Sequence, residues 1–433
     1  MAKKKRSAKA TPTRGLSGHP ARRAQQLATR QPPPGPRSGL LESLLGTAGD
    51  QWWPDSQNSI IERLADLPAH SPLRLENAVV DLVGEELWAR TQTETMGFHW
   101  DQYLASLADL VRDEIQIAAR TGGQTDDLWR MLHGLAAMTP PSSGQMPRRD
   151  PDLAVRDAIT DTTTALAGAG IAPGWPSEIL RATPSGEPLL LADEYGSRYA
   201  LLAPFSWGEE DSHWYCWDID RCTGDRVVHT AVFASPEEAL AEWRDAVGTH
   251  AAPASTRPAP CDQATARDLL DPLCRSGLWG ALLLGTESRQ LIAERFRQRQ
   301  RARALCESFT VAPEPKREQD LNPIIDDFAA WLRDRDDHRP EREDIATLAD
   351  TWSSLSGPGY YACSPHRIEH TVILVADGYI KKYAEAALDL LPQWVEWCIE
   401  RTGLTGELAE RARQAAANNR WDGTEDLDLR RTE

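Results

Sequence analysis

Residues 188–205 read PLLLADEYGSRYALLAPF, and residues 213–233 read HWYCWDIDRCTGDRVVHTAVF. Each is a run of aliphatic and aromatic residues interrupted by a glycine-centred break, the pattern of two strands joined by a turn. The first predicts two strands around Tyr195-Gly196, the second two more around Thr223-Gly224-Asp225. In the second, His213, Tyr215, Trp217 and Ile219 alternate with Trp214, Cys216 and Asp218, the period of an extended chain. SPEEALAEWRDAV follows at once. Ser235 is placed to cap a helix, Pro236 to open it and Glu238 to close a capping box three residues after the cap. The expectation is a four-stranded antiparallel sheet with helices on one face, which removes the all-helical class that the rest of the chain would suggest.

Outward from that sheet the texture is helical. Ile60, Ile61, Leu64 and Leu67 recur at helical spacing, as do Leu75, Val79, Leu82, Val83 and Leu87, then Tyr103, Leu107, Leu110, Val111 and Ile115, then Leu128, Trp129, Leu132 and Leu135. A further helix is expected near 153–167. The Pro- and Ser-rich runs at 139–152 and 249–260 break the pattern and read as linkers. The fold class is therefore multidomain α+β, predominantly helical. The division expected is a basic Pro-rich tail at 1–38 with too little apolar content to order, a helical domain at 39–138, the α+β domain at 153–248, a helical domain at 261–417 and a polar tail at 418–433.

At 433 residues, 41% hydrophobic and 26% charged, the chain is long enough for two or three cores. No apolar run reaches the roughly 20 residues of a membrane helix, and the N-terminus lacks a secretion signal, so a cytoplasmic protein without a membrane partner is expected. The seven cysteines are scattered, with no C-x-x-C pair, and read as reduced thiols. Charge is uneven. Residues 1–37 hold ten Lys or Arg and no acid, leaving 38 basic against 65 acidic residues, or −27, in the remainder. Lys3, Lys4, Lys5, Arg6, Arg22 and Arg23 are thus candidates for contacting nucleic-acid phosphates.

Two further segments invite chemistry. ESRQLIAERFRQRQRARAL carries six arginines between Arg289 and Arg303, beside an inner stripe of Leu291, Ile292, Phe296 and Leu305. Arg295, Arg299 and Arg303 recur every four residues and could track a phosphate backbone, though a solvated charged face explains them as well. SPHRIEHTVILV contains H-x-x-E-H, the inverted-zincin pattern: His366 and His370 as metal ligands one helical turn apart, and Glu369 as the base that would activate a bound water. That family takes a third ligand from a distant downstream Glu, and only 63 residues follow His370. Ser364, Pro365 and the stripe Ile368, Val372 and Val375 account for the segment as an ordinary capped helix. DIDRCTGD has the first two Asp of a calcium loop, but Cys222, Thr223 and His229 stand where a ligand, a glycine and a glutamate belong. P-loop, dinucleotide and G-x-S-x-G signatures are missing.

LNPIIDDFAAWLRD (321–334), the Ser364-Pro365 start, LVADGYIKKY (374–383) and LLPQWVEWCIERTGL (390–404) resemble the C-terminal helical module of uncharacterised actinobacterial proteins. That group has Trp before a Leu-Pro-Arg-Lys segment, where Gly378 stands here. The resemblance covers roughly residues 320–415. It implies a helical module without assigned activity, carries over no catalytic residues, and has no metal pair at the positions of His366 and His370. The expectation is a non-enzymatic interaction protein with a protein partner and no cofactor. A zinc-dependent hydrolase using 366–370 and a nucleic-acid-associated protein using the basic tail and the 289–303 helix are the alternatives.

Overall fold

The computed structural model describes residues 53–91, 100–141, 150–208, 210–223, 226–247, 257–275, 289–311, 320–335, 339–354 and 359–418. The expected basic tail, with Lys3, Lys4, Lys5, Arg6, Arg22 and Arg23, and the expected polar tail from 419 onward lie outside the described residues, as do Gly224 and Asp225 of the second expected turn. The chain divides into two compact units: a larger one from Pro36–Glu318 with Ser356–Ala362, and a smaller one that includes Gln319–Leu355 and Cys363–Glu433. Helices stand at both ends with an antiparallel sheet between them in sequence, a predominantly helical α+β protein.

The larger unit opens with α1 (Trp53–Glu62), α2 (Pro72–Thr91), α3 (Trp100–Thr121), α4 (Asp126–Met138) and α5 (Pro151–Gly168). Tyr103, Leu104, Leu107, Val111 and Ile115 bury one stripe of α3 against Val79 and Val83 of α2, Trp129 and Leu132 of α4 and Ile159 of α5. The Asp150 carboxylate caps α5 by accepting from the amides of Asp152 and Leu153, with Pro151 at the first helical position.

The sheet contains β1 (Thr183–Pro184), β2 (Leu189–Ala192), β3 (Arg198–Trp207), β4 (Glu210–Asp220) and β5 (Arg226–Phe233), followed by α6 (Pro236–Val247) and β6 (Ala259–Pro260). The order is β5-β4-β3-β2-β6 with β1 on β3, every pairing antiparallel. The β2–β3 turn falls where expected. Gly196 has φ 65°, a conformation glycine adopts at little cost, and the Asp193 carboxylate receives the amides of Ser197 (2.6 Å) and Arg198 (2.9 Å).

Two expectations are corrected. The sheet has six strands rather than four, because the two residues of β6 join the outer edge of β2 and the two of β1 pair with the end of β3 that β2 does not reach. Its helices cover both faces. Ala239, Leu240 and Trp243 of α6 pack on Ala200, Leu202 and Cys216, and α7 (Gln263–Arg275) and α9 (Arg295–Ser308) pack on Leu201, Ala203, Phe205, Tyr215 and Trp217. The reason is in β3, where every residue from Tyr199 to Ala203 is buried, so neither face can be left to water.

The domain boundaries also differ. The helical domain expected at 39–138, the α+β domain expected at 153–248 and the start of the domain expected at 261–417 share the larger unit. α8 (Arg289–Ala293) and α9 explain this. Ile292 and Phe296 enter the core of the N-terminal helices, while Ala302, Leu305 and Cys306 enter the core on the sheet. One pair of consecutive helices therefore fuses two layers into one body.

The smaller unit consists of α10 (Asn322–Arg335), α11 (Arg342–Ser354), α12 (Pro365–Gly378), α13 (Lys381–Asp389), α14 (Leu391–Thr402) and α15 (Gly406–Asn418). Phe328, Trp352, Trp394 and Trp397 form its aromatic centre, with Phe328 4.8 Å from Trp394 and 5.3 Å from Trp397 between ring centroids. Gly403, at φ 68°, ends α14 in the left-handed cap conformation.

Candidate functional site

Five arginines stand on α9, and the helix is interior. The segment expected as one helix over 289–303 is two, α8 and α9, and the stripe of Leu291 and Ile292 on α8 with Phe296 and Leu305 on α9 is buried as expected, but Arg295, Arg297, Arg299 and Arg301 are buried as well. This corrects the reading of Arg295, Arg299 and Arg303 as a solvated face able to grip phosphates. Arg295 lies over the Trp100 ring of α3 at 5.1 Å, Arg299 stands 3.9 Å from Asp101, and half-buried Arg303 donates to the carbonyl of Pro141. A phosphate backbone needs guanidinium groups that reach solvent, and α9 turns these inward.

Apart from Glu294, at the start of the helix, the partners come from elements far away in sequence. Arg301 pairs with Glu76 of α2 at 2.5 Å, both side chains wholly excluded from solvent, and sits over Phe205 (5.2 Å) and Trp207 (5.9 Å) of β3. Arg297 grips Glu294 through two donors and Asn77 of α2 through a third. Tyr215 of β4 donates to the same Glu294 at 2.9 Å. Trp217 donates its indole N–H to the carbonyl of Gln298 at 3.3 Å. Burial opposes charge on Arg297, but Glu294 outweighs it and holds the guanidinium above its ordinary pKa. On Arg301 burial wins, and its pKa lies below the ordinary value despite Glu76. Burial also raises the Tyr215 phenol, reinforced by the Glu294 charge, which keeps it a neutral donor.

Close helix crossings set this geometry. A β-carbon on Gly134 of α4 would come 2.4 Å from Cγ2 of Val79, so α4 presents bare backbone to the Val79 side chain of α2. Beside that crossing is a small cavity lined by Pro72, Leu75, Glu76, His133, Gly134, Ala137, Trp175, Leu180 and Trp207. Burial pushes the pKa of His133 down to about 4, so the ring is neutral near pH 7.

In the smaller unit, Ser364 caps α12 by accepting from the amide of Arg367, and Pro365 follows it, as expected. Ile368, Val372 and Val375 form the buried stripe. His366 and His370 stand off that stripe, half-buried, with their Nε2 atoms 3.0 Å apart and rings 4.5 Å apart between centroids. Glu369 is half-buried on the same helix. One neutral imidazole can donate to the other at this distance. Two imidazoles on one tetrahedral zinc would stand about 3.3 Å apart.

The calcium reading of the β4 segment fails structurally too. Asp218 receives Arg198 at 2.5 and 2.8 Å and the indole of Trp243 at 2.9 Å, and Asp220 receives the amide of Cys222. The sequence placed Tyr215 only in the alternation of a strand and did not single out Glu76, Glu294 or His133. A signal existed for one of them: Glu76 shares the 76-80-83-87 spacing with Val80, Val83 and Leu87, so it occupies a core position of α2. No family model, no curated protein and no solved structure matches this chain.

Proposed function

We propose that this is a non-enzymatic interaction protein that binds a macromolecular partner through the outer surfaces of its units. The observation that supports it is the use made of α9. Its arginines, with Glu76, Glu294 and Tyr215, are engaged with one another inside the larger unit, where they set the spacing of helices and sheet. Such a frame stiffens a platform, and recognition is left to its exterior. The test is the native mass of the tagged full chain at natural expression, by size-exclusion chromatography with light scattering. A stable assembly well above the 48.1 kDa of one chain, resolved into this chain and a second component, is the expected result. Elution as a bare monomer, together with turnover of a small substrate, overturns it.

A second reading is favoured by one observation, the 3.0 Å approach of the His366 and His370 Nε2 atoms. It suits a divalent transition metal held by the pair, with Glu369 as the base of a zinc-dependent hydrolase. Metal analysis of purified protein decides it. One zinc per chain, lost in His370→Ala, establishes the metal, and a zinc-free protein whose stability changes little in that variant leaves a hydrogen-bonded histidine pair. The nucleic-acid alternative no longer has support from Arg295 and Arg299 and rests on the basic tail alone.

A further inference from the structure

Four of the cavity-lining side chains are buried and polar: Glu76, His133, Trp175 and Trp207, the first three drawn from α2, α4 and the segment after α5, the last from β3. Among the described residues, Glu76 Oε1, both ring nitrogens of His133, and the indole nitrogens of Trp175 and Trp207 have no hydrogen-bond partner. The other oxygen of Glu76 is held by Arg301. Buried polar atoms in folded proteins almost always find a partner, so five on four side chains lining one cavity point to a shared one.

The chemistry of these atoms selects the partner. Neutral His133 offers one acceptor nitrogen and one N–H, each indole offers a donor, and Glu76 Oε1 is an acceptor. An anion would accept from the indoles but face the Glu76 carboxylate. A metal ion or ammonium would suit Glu76 but face two indole N–H groups. Water brings two donors and two acceptors, enough for Glu76, one His133 nitrogen and both indoles. The space available to its centre, about 10 Å³, corresponds to about one water molecule.

We propose that this cavity is an integral hydration site in which one water molecule joins Glu76 and His133 to the indoles of Trp175 and Trp207. The water completes the surroundings of the Glu76–Arg301 ion pair and links α2, α4 and β3 at the point where helices meet sheet. It is part of the fold and independent of which partner the protein binds.

A crystal structure of the full chain at about 1.5 Å resolution tests this. The expected result is one ordered water within hydrogen-bond distance of Glu76 Oε1 and of at least two of the other three side chains. Density for an ion or a larger molecule overturns the assignment, as does a direct bond between His133 and Glu76, or no density at all. In solution, indole-labelled protein should show cross-relaxation from a long-lived water to the Trp207 or Trp175 N–H, assigned by loss of one indole signal in Trp207→Phe or Trp175→Phe. Trp175 and Trp207 indole signals that see only bulk water would contradict the proposal, and the crystal structure tests it without any variant.

Discussion

Arg301 of α9 and Glu76 of α2, 225 residues apart in sequence, form an ion pair at 2.5 Å with neither side chain exposed to solvent. Two charges taken so fully out of water are a strong constraint. Their attraction offsets their desolvation only while both are present. The pair thus fixes where α9 lies between the helices and the sheet, whatever its net contribution to stability.

Removing one partner should therefore cost more than removing both. Arg301→Met or Glu76→Leu alone is expected to destabilise the larger unit by about 3–5 kcal/mol, because the remaining charge stays buried and unpaired. The double variant Glu76→Leu/Arg301→Met should recover most of that loss. Chemical denaturation of the four proteins checks this, and additive single losses would mean the two side chains do not act as a pair.

Gly134 is expected to tolerate no side chain. Gly134→Ala places a methyl 2.4 Å from Val79 Cγ2 and should destabilise by about 1–3 kcal/mol, as overpacking does. Val79→Ala in the same chain should relieve part of the loss. If Gly134→Ala leaves the denaturation midpoint unchanged, the crossing of α2 and α4 is looser than described.

The hydrogen bonding at the start of α6 gives a smaller effect. Ser235 Oγ accepts from the amide of Glu238 at 3.2 Å, and the Glu238 carboxylate reaches back to the amide of Ala234, one residue before the cap. Ser235→Ala is expected to cost about 1 kcal/mol, measured by urea denaturation. A change near zero would show that solvent replaces the cap.

Acid should weaken the protein through His133. Its pKa is depressed to about 4 from 6.5 by burial, so the unfolded chain takes up a proton that the folded chain refuses. Stability from this group is complete above pH 6.5 and is lost as pH falls towards 4, at up to about 1.4 kcal/mol per pH unit. Asp193 opposes it. Burial raises its pKa to about 6 despite the amides it receives, so there the folded chain binds the proton first and gains stability as pH falls from about 6 towards 3.8. The wild type minus His133→Phe isolates the histidine, and that difference should grow in favour of the variant as pH drops from 6.5 to 4. A pH-independent difference would mean His133 protonates freely in the fold.

Local punctuation was legible in the sequence, and long-range pairing was not. Ser235 and Ser364 announced their helices, Gly196 its turn, and Ile368, Val372 and Val375 their stripe, because each signal lies within a few residues of what it controls. The arginines of α9 could not be placed that way. An arginine at a helical position looks the same whether it faces water or a glutamate 225 residues upstream, and Glu76 was easily passed over among the apolar residues of α2. The strands β1 and β6, two residues each, are too short to show a period and take their conformation from the neighbour they join. For His366 and His370, the spacing fixed that both could share a face, and the 3.0 Å approach followed only from their side-chain rotamers.

Arginine-directed modification of the native full chain, read out by peptide mass spectrometry, tests the interior placement of α9 most directly. Arg289, with 61% of its side chain exposed, serves as the internal control. Arg289 should react readily while Arg297 and Arg301 stay unmodified until the protein is unfolded. Modification of Arg297 and Arg301 in the folded chain at the rate of Arg289 would contradict the account, because α9 would then be a surface helix with its arginines free to bind.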